Sequence, residues 1–151
     1  VVVVGPDDRH GTSAVLNGAE RVHVLPPTES PPFDLYRAAD VFVLPSSGES
    51  FGMVAAEAAA SGTPVVVTDR CGVAGFFHDD EALVVPDERD EVIEAIRRVL
   101  ADDALRTRLA AGGIAAAQRM SWDHVVDAQE AIYRAVAASR TVSTNASTLA
   151  S

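Results

Sequence analysis

Short runs of β-branched, apolar residues recur along the chain and constrain its fold more than any other feature. Five such runs are strand candidates: Val1–Val4, Arg21–Leu25, Val41–Leu44, Pro64–Thr68 and Ala82–Val85. They are apolar on both faces instead of alternating, as expected for parallel strands that helices cover on both sides. Helical patterns separate the runs, so the βαβαβαβ order predicts an α/β protein with an open, Rossmann-like parallel sheet.

The segments between and after these runs have helical patterns. Before residue 86 they are a short piece near Thr12–Asn17, a segment Phe33–Ala39 and a helix from about Ser50 to Ala60. After Pro86, Asp87 can cap a helix that runs through Leu100. A second helix, near Asp103–Gln118, contains the pair Gly112-Gly113, which we expect to interrupt and weaken it.

The end of the chain has a different composition. Ser121 can cap a final helix with apolar residues at helical spacing. Residues 139–151 are polar and low in complexity, so we expect a disordered tail. We therefore predict one domain over residues 1–138, followed by the tail. A strand that begins at residue 1 suggests that this domain is truncated at its N-terminus.

The composition narrows the range of ligands. The formal net charge of −10 disfavours nucleic acid as a partner. All twelve basic residues are arginine, so a reaction that needs lysine must find it elsewhere. The four histidines and the single Cys71 show no metal-binding spacing, and no apolar run is long enough to be a transmembrane segment. A cytoplasmic location fits these features.

The stretch GESFG, residues 48–52, matches G-x-S-x-G, the nucleophile elbow of the α/β-hydrolases. Ser50 is therefore one candidate for a catalytic residue. In a nucleophile elbow, however, the strand runs directly into a sharp turn, whereas Pro45–Ser47 precede Gly48 here. A better role places Ser50 near the first turn of the following helix, where its hydroxyl and the neighbouring N–H groups face an anion.

Glu49 and Glu57 are the second candidates around the same helix start. Alanines surround Glu57, so the helix can pack closely and leave one long carboxylate to reach a ligand. A carboxylate accepts bidentate hydrogen bonds from a vicinal diol, so a ribose or a hexose is a sensible partner. Alternatively, Glu49 only favours the helix dipole and Glu57 is solvated. The spacing alone leaves both interpretations open.

The segment LYRAADVFVLPSSGESFGMVAAEAAASGTPVVVTDRCGV, residues 35–73, resembles the signature region of the retaining, GT-B-fold glycosyltransferases of the family 4 type. The runs VVVVGP, RVHVLP and ALVVP and the late SWDHVV agree with that family. The resemblance covers about residues 1–138 and is densest in the middle third. It implies the C-terminal, nucleotide-sugar-binding half of a two-domain enzyme.

The resemblance also implies roles for individual residues. Glu57 would bind the ribose hydroxyls, and Glu49, as the catalytic residue, would contact the hydroxyls of the transferred sugar. The other donor-binding residues would be Ser50, Phe51, Gly52 and Met53 through their amides, and Leu25 and Pro26 beside the base. No metal or cofactor is implied, because the helix N-terminus and basic side chains stabilise the leaving diphosphate of the nucleoside diphosphate sugar.

The chain also departs from the family pattern. The family's Arg/Lys pair comes from a strand–helix unit before Val1, and Ala74 and Gly75 stand where the family often has a glutamate. In the usual strand order the missing strand would lie between Val1–Val4 and Val41–Leu44. The sheet therefore has a gap, or these two strands close up. Arg70 is the best remaining candidate to contact an anion.

The expected partners are a nucleoside diphosphate sugar and an N-terminal acceptor domain of the same longer chain. We expect this chain alone to be inactive, because the acceptor domain and the basic unit are absent. The N-terminal domain could lie at a membrane surface. The alternative function is a non-catalytic module that binds a nucleotide or a partner protein, and the missing basic unit favours it for the chain as it stands.

Overall fold

A computed structural model describes residues 1–5 and 20–148, with side chains described up to residue 138. In chain order the strands are β1 (Val2–Val4), β2 (His23–Leu25), β3 (Phe42–Leu44), β4 (Val65–Thr68) and β5 (Leu83–Val85). The helices are α1 (Phe33–Ala38), α2 (Met53–Ala60), α3 (Arg89–Ala101), α4 (Asp103–Arg119) and α5 (Trp122–Thr148), with a 3₁₀ helix at Gly72–Phe76. The predicted piece near Thr12–Asn17 lies outside the described residues.

Parallel pairing joins the strands, which confirms the predicted fold class. In one sheet β4 lies between β3 and β5, with Phe42 opposite Val65 and Val66 opposite Leu83. In the other sheet β1 pairs with β2, with Val2 opposite His23. No strand pairing joins the two sheets among the described residues, so β1 and β3 do not pair directly, as one of the two expectations had them.

The central strand β4 shows why its sequence is apolar throughout. Val65, Val66 and Val67 are all 0% exposed. Because successive side chains of a strand point to opposite faces, Val65 and Val67 pack in one core cluster and Val66 in the other. The first cluster contains four alanines of α2, and the second contains Val99 of α3 and Leu109 of α4. Helices therefore cover both faces of the sheet.

The predicted interruption of α4 at its glycine pair is wrong. The helix is continuous across Gly112 and Gly113. A Cβ at Gly112 would lie 2.2 Å from the carbonyl oxygen of Asp80, and one at Gly113 would lie 3.3 Å from the Cβ of Ala59. The glycines thus allow α4 to approach a loop and α2 closely, and this packing offsets their low helix propensity.

The helix ends also differ from their predictions in part. Helix α3 begins at Arg89, and Glu88 rather than Asp87 holds the capping position, without a side-chain cap. Ser121 does precede α5, and its Oγ accepts the N–H of His124 at 3.5 Å. Helix α5 then continues to Thr148, into the segment for which the composition predicts disorder, since an established helix adds residues with little nucleation cost.

Candidate functional site

The loop between β3 and α2 carries Glu49, and backbone hydrogen bonds attach it to the loop that follows β4. The N–H of Glu49 donates to the carbonyl of Arg70 at 3.3 Å, and the N–H of Gly72 donates to the carbonyl of Glu49 at 3.0 Å. Two residues on, the N–H of Val73 donates to the carbonyl of Phe51 at 2.7 Å. The backbone position of Glu49 is therefore fixed.

Two glycines make this close approach possible. A Cβ at Gly72 would lie 2.2 Å from the carbonyl oxygen of Ser50, closer than two such atoms can pack. Gly52 has a φ of +95°, in the left-handed region, and its Cβ would lie 2.9 Å from Cδ2 of Leu44. A side chain at either position would therefore displace the loop that carries Glu49.

The beginning of the same loop is held from β4. The hydroxyl of Thr68, which is buried, donates to the carbonyl of Ser46 at 2.5 Å. The same hydroxyl lies 3.5 Å from Sγ of Cys71, a buried side chain 3.9 Å from the carbonyl of Leu44. Cys71 therefore has the structural place of a small residue in the core. The Glu49 loop is thus bonded at its beginning to β4 and at its end to the loop that follows β4.

Helix α2 begins at Met53, which corrects the predicted start at Ser50 and the place of Ser50 in the first turn. Gly52 has a left-handed backbone conformation and is the last residue of the loop, so the helix begins at the next residue. The N–H groups of Gly52, Met53 and Val54 have no hydrogen-bond acceptor among the described residues, and the side chains of Met53 and Val54 are exposed. These donors and the helix dipole can attract an anion.

The geometry does not support Ser50 as an activated nucleophile. Ser50 is exposed and lies in a loop, six residues after β3 ends at Leu44, rather than on a sharp strand-to-helix turn. Within the described part of the chain, no histidine forms a hydrogen bond with its hydroxyl. Among the described residues, the hydrolase interpretation therefore has no base that would activate the serine.

Glu57 projects from α2 towards α1, where it meets a buried tyrosine. The hydroxyl of Tyr36 donates to Oε2 of Glu57 at 3.0 Å, and Tyr36 is 7% exposed. Burial of the phenol, and then the Glu57 carboxylate beside it, raises the pKa of Tyr36 to about 12. Tyr36 therefore remains a hydrogen-bond donor at neutral pH, and Glu57 is half-buried rather than simply solvated.

The structure brings most of the predicted site residues together. Glu49, Ser50, Phe51, Gly52, Met53 and Glu57 lie in the loop and helix that follow β3. The ring of Phe51 packs edge-on against Phe76, with centroids 5.4 Å apart, so it supports the loop. Leu25 and Pro26 lie apart, at the end of β2, and no hydrogen bond among the described residues links that sheet to the Glu49 loop.

Arg70 lies beside the loop through its backbone, since its carbonyl accepts the N–H of Glu49. Its side chain is exposed and has a weak ion pair with Asp69, with Nε and Oδ1 3.8 Å apart. The guanidinium can therefore turn to an anion at low cost. No group of three His, Cys, Asp or Glu residues able to hold a metal occurs among the described residues. No helix in that part of the chain has the length and hydropathy of a membrane span.

Sequence reasoning missed three residues that shape this site: Tyr36, Thr68 and Gly72. Tyr36 stands 21 residues before Glu57, a separation that gives no periodic signal of contact. Thr68 and Gly72 resemble ordinary strand-end and turn residues. The sequence did contain a signal for them, because Tyr36, Thr68 and Gly72 all lie in the segment that resembles the family signature.

Comparison with known proteins identifies the family of this chain. The family model described as glycosyl transferases group 1 matches residues 1–115. A D-inositol 3-phosphate glycosyltransferase of Xylanimonas cellulosilytica is 45% identical over 117 residues, which are 76% of this chain and 28% of that protein. A protein of the same name from Jonesia denitrificans is 34% identical over 154 residues, 95% of this chain and 36% of that protein. The chain thus spans about a third of the length of these relatives.

Among solved structures, the sucrose-phosphate synthase of Thermosynechococcus elongatus superposes with a TM-score of 0.74 and 28% identity. The superposition covers 91% of this chain and 38% of that chain. The parallel sheet with flanking helices therefore has the architecture of a GT-B glycosyltransferase domain. The family model covers most of the chain and the relatives agree with it, so the chain belongs to the glycosyl transferases group 1 family.

Proposed function

We propose that this chain is the donor-binding domain of a retaining glycosyltransferase of the family 4 type, which transfers a sugar from a nucleoside diphosphate sugar. One observation carries the proposal: two carboxylates, Glu49 and Glu57, flank a helix start whose first N–H groups have no acceptor in the described part of the chain. Carboxylates suit sugar hydroxyls and free amides suit a diphosphate, so the arrangement matches the three parts of such a donor.

In this proposal Glu57 accepts hydrogen bonds from the ribose diol, while Glu49 contacts the hydroxyls of the transferred sugar. The amides from Ser50 to Met53 meet the diphosphate or the sugar, and Arg70 adds a positive charge near the leaving group. Charge that develops on the diphosphate is stabilised by these fixed dipoles, and no metal is assigned. Leu25 and Pro26 would lie beside the base once the two sheets are bridged by a further strand.

The named activity of the relatives supports the transferase class, since the chain is 34–45% identical to proteins called D-inositol 3-phosphate glycosyltransferase. The acceptor is assigned to a further domain, because this chain spans only about a third of those proteins.

The test is calorimetric titration with UDP, GDP and ADP sugars, together with transfer assays. Both use the full chain, which here means the longer protein that includes the proposed acceptor domain. We expect one base to bind specifically, and Glu49→Ala and Glu57→Ala each to lower kcat/KM by about 10- to 100-fold, as for loss of a hydrogen bond to a charged group. Glu91→Ala is the control, since this exposed α3 residue lies outside the site. Unchanged turnover in both site variants would contradict the proposal. Specific binding without transfer would favour the non-catalytic module.

A further inference from the structure

The contact between Tyr36 and Glu57 connects two helices at the candidate donor site. Tyr36 lies on α1 and Glu57 on α2, and their oxygen atoms are 3.0 Å apart. No other described side chain forms a hydrogen bond with the Glu57 carboxylate. The direction in which this carboxylate points therefore depends on the tyrosine hydroxyl.

The tyrosine itself is held in place from two sides. Its ring packs edge-on against Phe42, with centroids 5.6 Å apart and an interplanar angle of 84°. The hydroxyl of Thr63, which is 2% exposed, donates to the carbonyl of Tyr36 at 2.6 Å. A phenol fixed in this way can fix the group that it donates to, because neither the ring nor the backbone can move without losing these contacts.

The carboxylate keeps room for a ligand. A carboxylate has about four lone-pair sites, and the Tyr36 hydroxyl uses one of them, on Oε2. The other sites of Glu57, including both on Oε1, have no described partner. The tyrosine therefore orients the carboxylate without occupying it.

We propose that Tyr36 is a positioning residue that holds the Glu57 carboxylate in the orientation that receives the ribose diol of the donor nucleotide. This inference rests on the proposed function and adds a residue to the site. Without the tyrosine hydroxyl, Glu57 would sample other rotamers, and the ligand would have to order it on binding. The cost of that ordering would appear as weaker binding of the nucleotide.

The experiment compares Tyr36→Phe with Tyr133→Phe in the full chain. These are the two tyrosines of the sequence, and Tyr133 is exposed on α5, so the second variant is a matched control. Tyr36→Phe keeps the ring that packs on Phe42, and thermal unfolding checks that both variants fold. The probes are UDP, GDP and ADP, and the 2′,3′-dideoxy form of whichever diphosphate binds best.

We expect Tyr36→Phe to weaken binding of the ribonucleoside diphosphate about tenfold and binding of the dideoxy form less than about twofold. In transfer assays KM for the donor rises while kcat stays within about twofold, because the ribose contact is the same in the ground state and the transition state. Tyr133→Phe changes neither affinity.

The outcomes separate the two proposals. Equal loss for the ribose and dideoxy probes overturns the positioning role, because a general distortion of the site would weaken both. Strong loss in Glu57→Ala with no loss in Tyr36→Phe overturns the positioning role and leaves the proposed function intact. If the unaltered chain binds none of the diphosphates or their sugars, the proposed function fails and the positioning role fails with it.

Discussion

Glu49 and Glu57 stand eight residues apart, yet the structure holds them in opposite ways. Glu57 belongs to a regular helix, and its side chain is fixed by the Tyr36 hydroxyl at 3.0 Å. Glu49 belongs to a loop, and its backbone is fixed by hydrogen bonds with Arg70 and Gly72. Within the described residues, the Glu49 carboxylate itself accepts one long hydrogen bond, of 3.5 Å, from the N–H of Phe51. Hydrogen bonds thus fix the side chain of Glu57, whereas at Glu49 they fix the backbone.

This difference suits the roles proposed for the two residues. A ribose is unchanged by the transfer reaction, so a preorganised carboxylate at Glu57 binds it with little entropic cost. The transferred sugar changes geometry and charge on the way to the transition state, so a contact from the Glu49 carboxylate can be stronger there than in the ground state. Changes to the Glu49 loop should therefore act on turnover, and changes around Glu57 on nucleotide affinity.

The largest effect is expected from Gly72→Ala, which disrupts the backbone contacts that position Glu49. The new Cβ would lie 2.2 Å from the carbonyl oxygen of Ser50, so the loop must move away from the end of β4. A displacement of about 1 Å at reacting groups can cost about 100-fold in rate, so we expect kcat/KM in the full chain to fall by about that factor.

Gly75→Ala is the matched control, because a Cβ at Gly75 meets nothing within 4 Å. We expect this second variant to keep at least about half of the activity, as most surface substitutions do. Nucleotide affinity, which the proposed function assigns to Glu57, should change less than turnover in Gly72→Ala. Equal activity of the two glycine variants would show that the contact between the loops does not position Glu49.

A smaller effect is expected on the Glu57 side at alkaline pH. The pKa of Tyr36 is raised to about 12 in the folded protein, from 10.0 in the unfolded chain. Below pH 10 the phenol is protonated in both states, so its favourable contribution is complete. Between pH 10 and about 12 only the unfolded state loses the proton, so the free energy of unfolding falls, by about 3 kcal/mol at the upper end.

Denaturant unfolding of the full chain at pH 9, 10, 11 and 12 measures this loss. Tyr36→Phe should show a shallower decline over the same interval, because the titrating group is gone, while Tyr133→Phe should follow the unaltered protein. If the free energy of unfolding fell equally with pH in all three proteins, the pKa of Tyr36 would not be raised in the folded state.

Thr68→Val should lower stability by less than the alkaline titration does, and it acts on the Glu49 loop. The substitution keeps the shape of the side chain and removes the hydroxyl that donates to the carbonyl of Ser46 at 2.5 Å. We expect the free energy of unfolding to fall by about 1–2 kcal/mol, with kcat lowered more than nucleotide affinity. Thr107→Val is the control, because Thr107 is exposed and its hydroxyl donates to the carbonyl of Asp103 within the same helix. An effect of equal size in the control would point to a general cost of removing a threonine hydroxyl.

The sequence predicted the elements of this fold well, for a physical reason that β4 makes clear. A strand buried on both faces must be apolar at every position, so Pro64–Thr68 could be assigned without any structure. Gly112 and Gly113 show the limit of the same reasoning. Propensity predicts a break there, but the close approach of α4 to Asp80 and Ala59 requires glycines and keeps the helix intact.

The sequence also predicted part of the candidate site. Glu49 and Glu57 could be selected because carboxylates at a helix start have a recognisable chemistry and lie in a family-like segment. Tyr36 could not, since its contact with Glu57 depends on how α1 packs against α2. The start of α2 was also misplaced, because the left-handed conformation of Gly52 delays the helix to Met53.

Ser50→Ala should have the smallest effect of all, and it tests whether the loop works through its side chains or its backbone. Ser50 is exposed and its hydroxyl has no described partner, while alanine keeps the N–H group that could meet a diphosphate. We therefore expect kcat/KM to change by less than about threefold, as in the matched control Ser47→Ala. Neither protein should react with a fluorophosphonate probe. Labelling that disappears in Ser50→Ala, together with loss of activity in a folded protein, would instead make the serine a nucleophile and leave the two glutamates without the roles proposed for them.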